Sequence, residues 1–184
     1  MSGKNIITAQ EALAKLKEGN EKFLKAKTPI ADVSPQIREK TATEGQFPYA
    51  VVISCSDSRV IPEDIFSAGI GELFDIRVAG YVVNKTELGS VEYAVDHLGT
   101  NLVVVLGHTQ CGAVGTALEH HEVGGALKVI IDEIEKAIGD EKDYDEAVKL
   151  NVINSCNVIK ADNIKATVIG AIYHIDDGRV EFLD

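Results

Sequence analysis

The sequence predicts an α/β fold with a mainly parallel central sheet flanked by helices, an N-terminal helical arm and an antiparallel C-terminal edge hairpin. Three observations predict it. Four short apolar runs, at 50–54, 73–78, 102–106 and 168–172, have the continuous hydrophobicity of strands buried on both faces. Segments with helical periodicity stand between them, as parallel crossovers require. The stretch 171–183 has a turn sequence, Asp176-Asp177-Gly178, between two strand-like halves.

The first helix is amphipathic. Thr8 is placed to cap it, with Glu11 completing a capping box, and Leu13, Leu16, Phe23 and Leu24 lie roughly on one side. The second starts at Ser34-Pro35, with proline at its first position, and stops at Gly45. Both precede any strand, so residues 1–45 are expected to form an arm with no sheet of its own, packing on a partner subunit. The strand at 50–54 follows, then that at 73–78. A helix over 89–98 carries Val91, Ala94, Val95 and Leu98 and closes at Gly99. After the strand at 102–106 a further helix opens near Gly112. Two more cover 127–138 and 143–159, the latter opening with Asp143 and Glu146 in capping-box spacing. No linker or repeat interrupts the pattern, and the whole of 1–184 reads as one domain.

Length and composition agree. A chain of 184 residues can bury a sizeable core, and 45% apolar with 26% charged residues is the balance of a soluble globular protein. No apolar stretch approaches a membrane span. The segment Met1 to Thr8 lacks the apolar core of a secretory leader, which predicts a cytoplasmic protein. A net charge of −11 disfavours nucleic acid and anionic membrane as partners. The three cysteines, Cys55, Cys111 and Cys156, are too few and odd in number for a disulfide framework. Cys156 shares a helix face with Val152 and Ile159 and reads as core.

Two constellations carry chemistry. Cys55-Ser56-Asp57-Ser58-Arg59 follows the first strand, and His108-Thr109-Gln110-Cys111-Gly112 follows the third. Sites in parallel α/β sheets form outside the carboxyl ends of strands. If those two strands are neighbours, Cys55, His108 and Cys111 converge. Two thiolates and an imidazole suit zinc, and three protein ligands leave the fourth position that marks a catalytic site. Asp57 beside the Arg59 guanidinium stays ionised and oriented. It either accepts a hydrogen bond from the attacking oxygen or swings onto the metal as a fourth ligand; the bland alternative is a structural ion pair.

Cys55-x-Asp57-x-Arg59, with 52 residues between Cys55 and His108-x-x-Cys111, resembles the signature of the β-class carbonic anhydrases. Gly71-Glu72-Leu73-Phe74, Arg77 and Ser90-Val91-Glu92-Tyr93-Ala94-Val95 are similar to flanking segments of that family, as is the tail from Gly170 to Leu183. The resemblance implies zinc-dependent, reversible hydration of CO2 to bicarbonate and a proton by zinc-bound hydroxide, with one Zn2+ per chain. It implies Cys55, His108 and Cys111 as the metal ligands, with Asp57 a fourth ligand in a closed state, and Asp57 and Arg59 as the catalytic dyad. It implies Gln46, Phe74, Tyr93 and Gly112 as pocket residues, part of each pocket coming from a neighbouring subunit, hence a homodimer or a higher multiple. Departures stand at Ala79 and Tyr81, where many members have a larger apolar residue and an asparagine; Tyr81 is expected to alter the pocket wall or the dimer contact. The absence of tryptophan argues against the allosteric bicarbonate pocket of some bacterial members.

Thiolate ligands should leave zinc-bound water less acidic than three histidines would, so activity is expected to rise through mildly alkaline pH. His120 and His121 are candidate proton shuttles or simply exposed; His97 and His174, without obvious partners, read as structural. The competing readings are action on CS2 or COS by the same site, and a non-catalytic zinc or redox-sensing protein. A thioredoxin-like role lacks its C-x-x-C, and Gly69-Ile70-Gly71 lacks the third glycine of a dinucleotide loop.

Overall fold

A computed structural model describes residues 7–183; the first six residues, part of the segment read as carrying no leader, and residue 184 lie outside the described residues. The elements are α1 (Ala9–Lys25), α2 (Pro35–Glu44), β1 (Ala50–Ser54), α3 (Pro62–Ile65), β2 (Leu73–Arg77), α4 (Lys85–Glu92), β3 (Leu102–His108), α5 (Gly112–Leu118), α6 (Leu127–Ile138), α7 (Tyr144–Ala161), β4 (Thr167–Tyr173) and β5 (Val180–Phe182).

The strands form one sheet in the order β2-β1-β3-β4-β5, parallel except for β5. Side chains alternate between its faces. Val51, Ile53, Val103, Val105 and Val168 face a core closed by α4, α5, α6 and α7. Ala50, Val52, Leu102, Val104 and Leu106 face the other, closed by α1 and α3. Both faces being covered is why these strands are apolar throughout.

Local signals place the helix ends. Thr8 caps α1 in a reciprocal capping box with Glu11. Ser34 caps α2, Pro35 is its first residue, and Gly45 ends it at φ 88°, where a side chain would be strained. Asp143 caps α7 by accepting from the Glu146 N–H. Gly178, at φ 81°, turns the C-terminal hairpin.

Several expectations need correction. The helix expected over 89–98 begins four residues earlier, because Asn84 and Glu87 form a capping box, and its last turn, Tyr93–Leu98, is a π-helix. The third strand runs on to His108, paired with Tyr173. The arm is also not uniform. α1 does cover its own sheet, burying Ala12 and Leu16 completely, whereas α2 buries no residue.

Asn20 fixes α1 on that face. Its Nδ2 donates to the carbonyls of Ile65 and Gly178, and its Oδ1 accepts from the Val180 N–H. Asn20→Ala strands two buried backbone carbonyls and a part-buried N–H and is expected to lower stability by about 2–3 kcal/mol in chemical denaturation; a loss of only a few tenths would mean water replaces the amide. Among the described residues, no helix is long and apolar enough to cross a membrane.

Candidate metal centre

β1 and β3 are neighbours in parallel register, with Ser54 opposite Leu106. Their carboxyl ends therefore deliver Cys55 and His108 to the same edge of the sheet. Cys111 arrives three residues later as the residue that caps α5. One ligand-type atom from each of Cys55, His108 and Cys111 lies within 4.8 Å of the others, and all three residues are buried.

The chemistry of this group fits a soft divalent cation such as zinc. His108 Nδ1 lies 2.8 Å from the Thr109 carbonyl oxygen, which can only accept, so Nδ1 carries the proton. Nε2 is left with a free lone pair, fully buried and without a hydrogen-bond partner. A buried imidazole lone pair facing two sulfurs is costly unless something binds it. The thiols interact as a pair. Cys55 is pulled below the usual thiol range chiefly by a hydrogen bond from Cys111, with help from the N–H groups of Gly80 and Asp57, against the effect of burial. Cys111, donor to Cys55 and itself buried, is pushed up. A cation binding here has one thiolate prepared and must displace the proton of the other.

Asp57 and Arg59 form a fork-to-fork pair at 2.9 Å (Nε to Oδ1) and 2.7 Å (Nη2 to Oδ2), and the Arg59 N–H also donates to Oδ1. The Arg59 hydrogen bonds hold the Asp57 carboxyl well below the usual carboxylate range. Arg59 Nη2 reaches across to the Gln110 carbonyl at 3.2 Å, tying the two motif loops together. Gln110 sits in the left-handed region at φ 58°. The Asp57 oxygens are turned to Arg59, and the carboxylate is not a member of the ligand group.

Of the remaining expected site residues, Gly112 lies beside the group and the other three lie elsewhere. Gly112 adjoins Cys111, and the space a Cβ would take there is open. Gln46 precedes β1, at the opposite end from Cys55, so a strand of about 17 Å separates them. Its neighbours Gly45 and Phe47 line a cavity of about 470 Å³ at that far end. Phe74 pairs with Val51, three residues below Ser54, and its ring lies 6.1 Å from that of Tyr93, which is 48% exposed. These three residues are not gathered at the chain's own metal group.

Tyr81 is fully buried, its ring edge-on to His108 at 6.4 Å, so it packs against that imidazole from beneath. His120 and His121 are exposed and lie beside Glu135 and Glu119. His174 does have a partner, Glu181 at 3.3 Å, and His97 stacks on Tyr93. Cys156 is core, its thiol pushed up to about 11 by burial.

Sequence reasoning missed four supports. Arg77 donates to the carbonyls of Cys55, Asp57 and Val60 and so staples the first motif loop. Tyr144 donates to the Cys111 carbonyl. Asn151 and Ser155, on α7, donate to the carbonyls of Gly80 and Tyr81. For Asn151 and Ser155 the available signal was polar residues at helix positions otherwise occupied by core.

Residues 50–180 match the sequence model of the family described as carbonic anhydrase. Over its whole length the chain is 33% identical to Carbonic anhydrase 2 of Mycobacterium tuberculosis, covering 96% of that relative. The fold is similar to a β-carbonic anhydrase of Aspergillus fumigatus, with a TM-score of 0.70 and 28% identity over 95% of this chain and 90% of that one. It is also similar to a tetrameric β-carbonic anhydrase of Sordaria macrospora, with a TM-score of 0.68 and 26% identity over 82% and 87% of the two chains. With a Cys-His-Cys group gathered at the strand ends and a family match across most of its length, the chain belongs to the β-carbonic anhydrases, zinc lyases that interconvert carbon dioxide and bicarbonate.

Proposed function

We propose that Cys55, His108 and Cys111 hold one zinc ion per chain and that Asp57 and Arg59 are the dyad serving CO2 hydration beside it. The observation that carries this reading is the buried, unpartnered His108 Nε2 in a group whose imidazole and two thiols bring ligand-type atoms within 4.8 Å of one another. Bound there, zinc supplies the Lewis acidity that makes water a nucleophile near neutral pH.

The protein groups do the rest. His108 keeps its Nε2 lone pair available because Thr109 O holds the proton on Nδ1. Asp57 stays ionised because of Arg59, and its carboxylate accepts a hydrogen bond from the attacking oxygen, aiming that oxygen's lone pair at carbon. Arg59 keeps the carboxylate turned from the ligand group, which favours an open fourth position over a closed site. Gly112 leaves room beside Cys111 for a small substrate.

Gln46, Phe74 and Tyr93 complete the pocket of a neighbouring copy. Their distance from their own metal group supports that reading, as do exposed Phe47 and Tyr93 and the unpaired edge of β2. Self-association as a dimer or a multiple of it follows, with the arm, chiefly α2, packing across. Three free cysteines agree with a reducing, cytoplasmic location.

Stopped-flow CO2 hydration on zinc-loaded protein from about pH 6.5 to about 9 tests the reading. Fast hydration rising with pH is expected, with metal and activity both lost in Cys111→Ser. No hydration with one zinc bound per chain would sink it and turn attention to CS2 or COS.

A further inference from the structure

α7 places two polar side chains where a core helix should have none. Its inner face is Ala147, Val148, Val152, Cys156 and Ile159, yet Asn151 is 0% and Ser155 1% exposed on the same face. Buried amides and hydroxyls are unfavourable unless paired, and both are directed at one short turn. Asn151 Nδ2 donates to Gly80 O at 2.9 Å, and Ser155 Oγ donates to Tyr81 O at 3.0 Å. A third contact joins the same partners, Tyr81 OH donating to Val148 O at 3.3 Å.

That turn is held in an unfavourable conformation. Gly80 has φ 66° and Tyr81 φ 45°, the left-handed region that a bulky side chain avoids. The positive φ at Gly80 favours glycine, and a Cβ there would also have to push aside the Ile134 Cδ1 methyl, 2.6 Å away. The result is that the Gly80 N–H is aimed at the Cys55 sulfur, 3.4 Å away, while the Tyr81 ring lies under His108.

We infer that Asn151 and Ser155 are positioning residues for the metal centre, clamping the Gly80–Tyr81 turn so that the Gly80 N–H is donated to the Cys55 sulfur. This rests on the reading of Cys55 as a metal ligand. An N–H donated to a thiolate draws charge from the sulfur, so the sulfur donates less to the metal and the ion remains a stronger Lewis acid. Such outer contacts orient ligands and tune the metal they hold. Without the clamp, Tyr81 relaxes toward negative φ, the peptide rotates, and the Gly80 N–H leaves the sulfur.

The test uses cobalt(II)-substituted full-length protein, whose near-ultraviolet thiolate-to-cobalt charge-transfer band reports sulfur donation, together with zinc retention against a chromophoric chelator. Ser155→Ala and Asn151→Asp, which replaces the Nδ2 donor by an oxygen, are expected to shift the band and to weaken zinc retention about tenfold or more. Ser155→Thr, which keeps the hydroxyl, restores both. Ile159→Val, elsewhere on α7, lowers the melting temperature and leaves band and retention unchanged. Unchanged band and retention in Ser155→Ala and Asn151→Asp, with only a lower melting temperature, would overturn the inference and make both residues ordinary core groups. A wild-type cobalt protein with no thiolate band, or one whose band keeps its full intensity in Cys55→Ser, would overturn the reading of Cys55 as a ligand and the inference with it.

Discussion

Asp57→Asn is expected to leave zinc bound and to lower kcat/KM for CO2 hydration by roughly 10²–10⁴-fold, about 3–5 kcal/mol of transition-state stabilisation. Asparagine has the shape of aspartate but not its charge, and it offers Arg59 one acceptor oxygen in place of two. The charge-assisted fork at 2.9 and 2.7 Å is lost. Cys55, His108 and Cys111 are untouched, so metal content separates this defect from loss of the ion. The pH profile separates it further. Because Arg59 holds Asp57 below the usual carboxylate range, Asp57 is ionised throughout the neutral and alkaline range. The variant's rate should therefore fall by a similar factor at every pH, with no shift of the midpoint. A variant within tenfold of wild type, at full zinc occupancy, would reduce the Asp57–Arg59 pair to a loop staple. In stability, a depressed carboxyl contributes above its ordinary pKa and loses that contribution as pH falls through the folded value, so the stabilisation by the pair is present at neutral pH and is lost only in acid.

The second large effect concerns Asp75, an acid on β2 with one oxygen sealed from solvent and without a hydrogen-bond partner. Burial, then the charge of Glu63 and a hydrogen bond shared with it, push Asp75 up to about 8, against the pull of Arg77. The sign is opposite to that of Asp57. The unfolded chain ionises near pH 4 while the folded chain keeps the proton to about pH 8, so folding is favoured most in acid. Stability is lost progressively as pH rises through that window, at no more than about 1.4 kcal/mol per pH unit. Asp75→Asn imitates the protonated acid at every pH. It is expected to stabilise the protein by about 2–3 kcal/mol near pH 8 and by almost nothing near pH 4, a figure discounted for the partial exposure of the side chain. Urea unfolding at the two pH values measures it. An equal gain at both would mean that packing, and not ionisation, separates the two side chains.

Much was legible before any coordinates. The four apolar runs became β1 to β4 to within two residues at either end, because a strand buried on both faces needs apolar residues at every position. Thr8, Ser34 and Asp143 marked helix starts because capping is a local interaction between near neighbours. The ligand trio was legible for a related reason. Each cysteine or histidine sits at or just beyond a strand end, and strand neighbours in a parallel sheet bring such ends together.

What lay outside local reach was decided by packing. Whether α1 covered its own sheet depended on Asn20 finding the hairpin at Gly178 and Val180, 158 and 160 residues away. Gln46 lies nine residues before Cys55 in the chain, yet the strand between them puts it at the far end of the sheet. Tyr81 stood out as a substitution, and only the folded chain turns it beneath His108 in a left-handed turn. Asn151 and Ser155 looked like polar interruptions of a core helix until Gly80 and Tyr81 were laid against them. The sequence by itself determined the strands, the caps, the Cys55, His108 and Cys111 trio as a candidate metal group and the Asp57–Arg59 pair, since these rest on periodicity and short spacing. The tertiary structure alone decided the tautomer of His108, the proton on Asp75 and the supports behind Cys55, since each depends on groups brought close by folding and screened there from water.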